Sequence, residues 1–321
     1  MGYGDPHYYD FNGNHFDHQG NCTYVLARDT SQNPPLYSVY INNVPCVDFP
    51  GTTCPKELIV EALGHRIYML PNFTENYEPH VRVDGKVKIP PLEAEDFSII
   101  SGGLFTVVYF PSIELEVRFV PVDFHYFRVV VPGKFRGYTE GLCGNCGVND
   151  TSCEVDDTCC DWIHPPEDKA RCCGGEAPPP CVPDEGQREW CTNILQPIFE
   201  ECWEFVDPNP YIENCLTDTC ISSNMTCWGF EQYVEECSYH GVCVDWRNDT
   251  FCPWECPPGQ IFRECVCPEE DPYRTCSDWE HGNLEECHTS PVDGCFCETG
   301  TFLDENDNCA PCREYCYTSL Y

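Results

Sequence analysis

Between Gly141 and Asp157 the chain reads GLCGNCGVNDTSCEVDD. Asn145, Asn149, Asp150, Glu154, Asp156 and Asp157 put side-chain oxygens into one short, turn-rich stretch. Hard cations such as calcium take six to eight such oxygens. A calcium ion is therefore expected here, acting with cysteines to close a domain. Cys143-Gly144-Asn145-Cys146 is also a CxxC. A redox CxxC needs a helix N-terminus and a depressed thiol pKa. The sequence around it signals neither, so thiol exchange stands only as a minor alternative. His15-Phe16-Asp17-His18 has the spacing HxxH, but it sits beside a turn and reads as surface and packing. There is no GxSxG, HExxH or P-loop, and no catalytic residue is assigned.

These residues sit in a chain built for an oxidising compartment. Twenty-nine cysteines in 321 residues is the density of a disulfide scaffold, and such scaffolds persist outside the cytosol. The chain is expected to be secreted and extracellular. The odd count implies a free thiol, an intermolecular bond or a partner lost by truncation. Met1-Gly2 reads as a trimmed end without signal-peptide regions, and no apolar run approaches a membrane span. A net charge of −37 argues against nucleic acid. It suits solubility, cation binding or basic partners. Sequons at Asn21, Asn72, Asn149, Asn224 and Asn248 suit a glycoprotein.

The elements that must position these groups change along the chain. Through Val131, short alternating segments are separated by turns: Leu36–Ile41, Glu57–Ala62, His65–Leu70, His80–Val83, Lys86–Ile89, Phe97–Ile100, Phe105–Phe110, Ile113–Phe119 and Phe124–Val131. Asn12-Gly13 and Asp84-Gly85 are hairpin signals. The spacing predicts a mainly β fold with an antiparallel sandwich over 1–180, large enough to need few internal disulfides. Cys46 and Cys54, eight residues apart around Asp48-Phe49-Pro50-Gly51, are expected to pair. Helical spacing over 187–252 (Trp190, Ile194, Leu195, Ile198, Phe199, then Phe230, Tyr233 and Val234) predicts a small disulfide-stapled helical domain. Residues 256–316, cysteine-rich with little apolar periodicity, predict a small stapled module.

Three blocks together resemble the von Willebrand factor type D assembly of mucins, tectorins, zonadhesin and IgG-Fc-binding protein. GDPHYYDFNGNHFDHQGNCTYVLARD resembles the start of the type D domain, and GLCGN its closing motif. The cysteine spacing from Cys191 to Cys237, with VDPNPY inside it, resembles the eight-cysteine domain that follows. Cys256-Pro257 through GCFC to Cys316 resembles a trypsin-inhibitor-like module. The resemblance implies a missing cysteine ahead of Met1 that would pair with Cys143. It also implies a bond from Cys22 to one of Cys159, Cys160, Cys172 or Cys173. The family's first closing-motif cysteine is Glu140 here, and its usual partner position is Thr30, which reads as a deleted disulfide. The family's calcium site would use Asn12 and Asn145, with Asn149, Asp150, Asp156 and Asp157 aligning loosely. The implied role is a non-enzymatic structural or adhesive assembly, with further copies or other extracellular proteins as partners. A protease-inhibiting loop at His288–Asp293, between Cys287 and Cys295, is the alternative. An oxidase activity, known for an ostracod luciferase with type D domains, is a remoter one.

Overall fold

The computed structural model describes residues 1–3, 7–46, 51–71, 79–88, 90, 92–102, 105–120, 126–148, 159–172, 182–221, 227–266, 291–298, 300–303 and 308–311. Fifteen strands form two antiparallel sheets. In chain order they are β1 Gly2–Tyr3, β2 His7–Tyr9, β3 His15–Asp17, β4 Thr23–Asp29, β5 Tyr37–Pro45, β6 Thr53–Ala62, β7 His65–Pro71, β8 Pro79–Val83, β9 Lys86–Lys88, β10 Leu92–Glu93, β11 Ser98–Gly102, β12 Phe105–Phe110, β13 Leu115–Phe119, β14 Phe127–Val130 and β15 Thr139–Glu140. One sheet runs β10-β11-β12-β13-β14-β1-β2-β3, the other β15-β4-β5-β6-β7-β8-β9.

Side-chain alternation decides where each strand buries. On β5 and β6, Tyr37, Val39, Ile41, Leu58 and Val60 face a core shared with Ile99, Val108, Phe110, Val117 and Phe119 of the opposite sheet. Those residues define the sandwich interior. The alternate positions, on the outer face of the eight-stranded sheet at β11 and β12, are not solvated. Ile100, Phe105 and Val107 join a second core with Ile194, Phe199, Phe230, Tyr233 and Val234 from the helical region. Burial on both faces explains why FTVVYF on β12 is nearly continuous apolar sequence rather than strictly alternating.

Turn chemistry matches the sequence where it is local. Asp84 and Gly85 have φ of 51° and 78°, the paired left-handed residues of a two-residue hairpin turn. β5 and β6 are longer than the periodicity suggests: Val44 pairs with Cys54 and Pro45 with Thr53. The Cys46–Cys54 disulfide lies at the end of this extended ladder.

The helical region contains α1 Lys169–Cys172, α2 Glu185–Cys191, α3 Asn209–Ile221 and α4 Trp228–Tyr239. Asp184 caps α2 in a full capping box with Gln187. The expected helical stripe through Leu195 and Ile198 is corrected here. Tight 3-10 turns over Thr192–Leu195 and Pro197–Cys202 replace a continuous helix. Pro197 cannot donate to an ongoing helical ladder. With the 3.6-residue period broken, Leu195 and Ile198 are exposed while Ile194 and Phe199 are buried. Disulfides Cys191–Cys215, Cys202–Cys237 and Cys227–Cys252 staple this region.

Two further hairpins follow, β16 Gln260–Val266 with β17 Val292–Cys297, and β18 Thr301–Leu303 with β19 Cys309–Pro311. Cys256–Cys295 and Cys297–Cys309 staple them. Cys243–Cys265 ties them to the helical region. Val266 and Phe296 also enter the second core, so this module borrows apolar burial as well as staples. Among the described residues, no helix is long and apolar enough to cross a membrane.

Candidate functional site

Two junctions carry the groups singled out in the sequence. The first is the closing turn of the sandwich. Leu142 N–H donates to Val25 O at 3.0 Å and Cys143 N–H to Leu26 O at 2.8 Å. The GLCG segment thus lies directly on β4. Gly141 has φ 121°, and a Cβ there would sit 2.7 Å from Leu26 O, so only glycine permits this approach. β15 then pairs Glu140 opposite Arg28, and Arg28 Nε donates to Glu140 Oε1 at 2.7 Å. Thr30 N–H donates to Tyr138 O at 2.9 Å. A cross-strand ion pair and backbone bonds hold the place where the sequence suggested a deleted disulfide.

Asn12 clasps this turn from the β2–β3 hairpin. Its Nδ2 donates to Asn145 O at 3.1 Å and Val148 O at 2.8 Å, while Gly147 N–H donates to its Oδ1 at 2.8 Å. Asp10, which the sequence reading did not single out, braces the hairpin. It accepts from Asn12 N–H, Asn14 N–H and Asn14 Nδ2. Asn145 Oδ1 is buried without a hydrogen-bond partner, an orphaned acceptor that a cation would satisfy. Asn12 Oδ1 accepts one bond and keeps a second lone pair. The described residues therefore suit a hard cation in part. Asn149, Asp150, Asp156 and Asp157 lie outside the described residues.

The cysteines separate into bonded and free. Cys22 is bonded to Cys172 and Cys46 to Cys54, while Cys143 and Cys146 are free thiols. Burial pushes the Cys143 thiol up to about 11. At neutral pH it is not the thiolate that exchange chemistry requires. Of the sequons, Asn21 and Asn248 are exposed. Asn72, Asn149 and Asn224 lie outside the described residues.

The second junction docks the helical region on the outer face of the eight-stranded sheet. Arg118, on β13, is 1 % exposed. It ion-pairs with Glu235 of α4 and with Glu116, and donates to Pro291 O at 3.2 Å. Burial alone would lower its pKa, but Glu235 and Glu116 outweigh burial and raise it. On β14, Arg128 pairs with Glu236 and lies 4.0 Å from the Tyr239 ring centroid. Removing one partner of such a buried pair strands a charge, which costs far more than the pair contributes.

At the sheet's β2–β3 end, His7 Nε2 is 3.0 Å from Asp218 Oδ1 of α3, and His7 Nδ1 is 2.6 Å from Asp17 Oδ1. Burial would lower the imidazole pKa, but these carboxylates hold it well above its ordinary value. His15 Nε2 lies 3.4 Å from the same Asp17 oxygen. Of the HxxH pair, His15 is exposed, and His18, just past the end of β3, is buried against Tyr24 with centroids 4.8 Å apart. His15 and Asp17 join His7. Asp218 was missed because it lies 211 residues away from its partner; β-alternation across Asn12-Gly13 could have paired His7 with Asp17.

Residues 1–152 match the von Willebrand factor type D domain, and residues 190–253 match the C8 domain. The chain is 30 % identical to mouse Mucin-2 over 326 residues, covering 94 % of this chain and 7 % of that protein. It is 29 % identical to bovine von Willebrand factor over 336 residues, covering 96 % and 33 %. Against rat SCO-spondin the identity is 31 % over 330 residues, covering 94 % and 6 %. The chain thus spans a third or less of the length of each of these relatives. The closing motif on β4 lies in the first of these matched segments and the docked helices α3 and α4 in the second: the chain carries a von Willebrand factor type D domain followed by a C8 domain.

Proposed function

We propose that this chain is a non-enzymatic extracellular assembly unit of a matrix, mucus or coat glycoprotein. It acts by presenting a rigid acidic surface and by joining further copies or other extracellular proteins. The observation that carries this reading is the doubly buried eight-stranded sheet. Its inner face builds the sandwich core and its outer face, through Arg118 and Arg128, locks the C8 helices in place. Such an arrangement spends its buried charge on fixing domain geometry rather than on a reaction centre. The net charge of −37 keeps the unit soluble and favours basic partners. Sedimentation across a concentration series, with an insulin-reduction assay in parallel, tests this reading. Self-association or capture of an extracellular partner without turnover is expected. Insulin reduction that disappears in Cys146→Ser would overturn it.

Calcium belongs to this proposal. Asn145 and Asn12, with Asn149, Asp150, Asp156 and Asp157, would hold the ion, and it would tie the first hairpin to the chain's exit from the sandwich. The orphaned Asn145 oxygen supports it. Native-state binding at a hundredfold excess over Kd adds about 2.7 kcal/mol. Calcium should therefore raise the Tm of the wild type and not of Asn145→Ala. If calorimetry gives no heat at millimolar calcium and EDTA leaves the melt unmoved, the loop is acidic but not a site.

A further inference from the structure

The cluster at the β2–β3 end is a different chemical object from the oxygen-rich closing loop. β2 and β3 pair His7 opposite Asp17 and Tyr9 opposite His15. Direct and diagonal partners on one face of a hairpin lie within reach of each other, so His7, Asp17 and His15 converge. One ligand atom from each lies within 4.8 Å of the others. β3 is the last strand of its sheet, which leaves the cluster's outer side open. The His15 and Asp17 side chains are 35 % and 55 % exposed, whereas His7 is 2 % exposed.

Asp218 supplies the independent observation. Its carboxylate is fully buried and faces His7 Nε2 at 3.0 Å. An imidazole whose one nitrogen donates to a buried carboxylate is held in a fixed orientation, and a metal ion binds its other nitrogen by displacing the proton there. This carboxylate–histidine pairing is the usual outer support of a metal-bound imidazole. Here that nitrogen is Nδ1, which is hydrogen-bonded to Asp17 and whose ligand atom also lies near that of His15. Ligand atoms about 2.0–2.2 Å from a tetrahedral ion lie about 3.3 Å apart. The existing separations of 2.6 Å for His7–Asp17 and 3.4 Å for His15–Asp17 bracket that value. At Asp17 an opening of about 0.7 Å from His7 is needed. Two imidazoles and one carboxylate suit zinc-class ions, whereas calcium prefers oxygen alone.

We propose that His7 Nδ1, His15 Nε2 and the Asp17 carboxylate bind a divalent transition-metal ion of the zinc class, with Asp218 of the C8 domain as the positioning residue. Three protein ligands leave a fourth position for water or for a ligand from a partner. Because Asp218 comes from the second domain, metal affinity and C8 docking are thermodynamically linked: each strengthens the other.

The test is calorimetric titration of the full chain, stripped with EDTA, with zinc alone in a calcium background. His15→Gln and Asp17→Asn alter exposed side chains, and unchanged circular dichroism verifies their folds. The wild type should show one zinc equivalent that both variants lack or bind at least tenfold more weakly. Asp218→Asn should weaken it about 10- to 100-fold, and His240→Gln should leave it unchanged. Cobalt(II) should give visible ligand-field bands in the wild type that His15→Gln loses. Identical isotherms for wild type and His15→Gln, or no zinc heat up to a millimolar concentration, would overturn the proposal and leave an ion-paired histidine.

Discussion

The sandwich and the stapled region behind it solve the same problem by different means. The sandwich closes a large apolar core from two sheets. Cys46–Cys54 and Cys22–Cys172 serve it, and Cys159 and Cys160 at its edge are bonded as well. The helical region and the hairpins after it are cross-linked at far closer intervals, and they share one core that includes a face of the sandwich. The difference follows surface-to-volume scaling: a small module buries too little apolar area to offset chain entropy. It also shows that the second region is not self-sufficient, because part of its core belongs to β11 and β12.

The comparison breaks most sharply in the sandwich interior. Phe119 is fully buried, and Phe119→Ala should cost about 3–5 kcal/mol, read as a large fall in denaturation midpoint with every disulfide intact. Next come the staples. Cys202 and Cys237 are 35 residues apart, and replacing both with serine should cost about 4 kcal/mol on chain-entropy grounds, against about 2.5 for the short Cys46–Cys54 loop. Amide exchange under mild reductant should accordingly expose α3 and α4 before β5 and β6. Equal protection in both regions would show that the staples are dispensable.

A pH series sharpens the contrast further. Burial pushes Asp293 of β17 up to about 7, and nearby Glu235 and Glu264 add to this, opposed by the Cys265 N–H bond. The folded state thus holds a proton that the unfolded chain releases near its ordinary carboxylate value. Between about pH 4 and 7 the native state binds more protons, so stability falls as pH rises, by at most about 1.4 kcal/mol per unit. From pH 5 to 7 the loss should be about 2 kcal/mol, and Asp293→Asn should flatten it; a flat wild-type profile would contradict this. The smallest effect is at the cap of α2, where Asp184→Ala should cost about 1 kcal/mol. Undetectable loss there would mean that Cys191–Cys215 already holds the helix.

What the sequence made legible was local. Asp84-Gly85 announces its turn because positive φ demands such residues. The β-alternation of the long strands is visible because one face is always buried. Gly141 is legible as a close approach only once β4 is known to lie under it. Leu195 and Ile198 misled because a helical period was carried across Pro197. His7 with Asp218, and Arg118 with Glu235, were beyond local reading: each pair joins distant elements across a domain interface.

The Cys22–Cys172 bond has a mechanical consequence. It short-circuits 150 residues of sequence, so tension applied at the two ends of the chain passes from β4's threshold to α1 without loading the strands between. If that bond were reduced under load, the enclosed segment could pay out about 500 Å of contour, at roughly 3.3–3.6 Å per residue. In a pulling experiment β4 to β15 should therefore contribute almost no extension in oxidised protein and one long release after reduction, whereas β1 to β3, ahead of Cys22, bear the load directly.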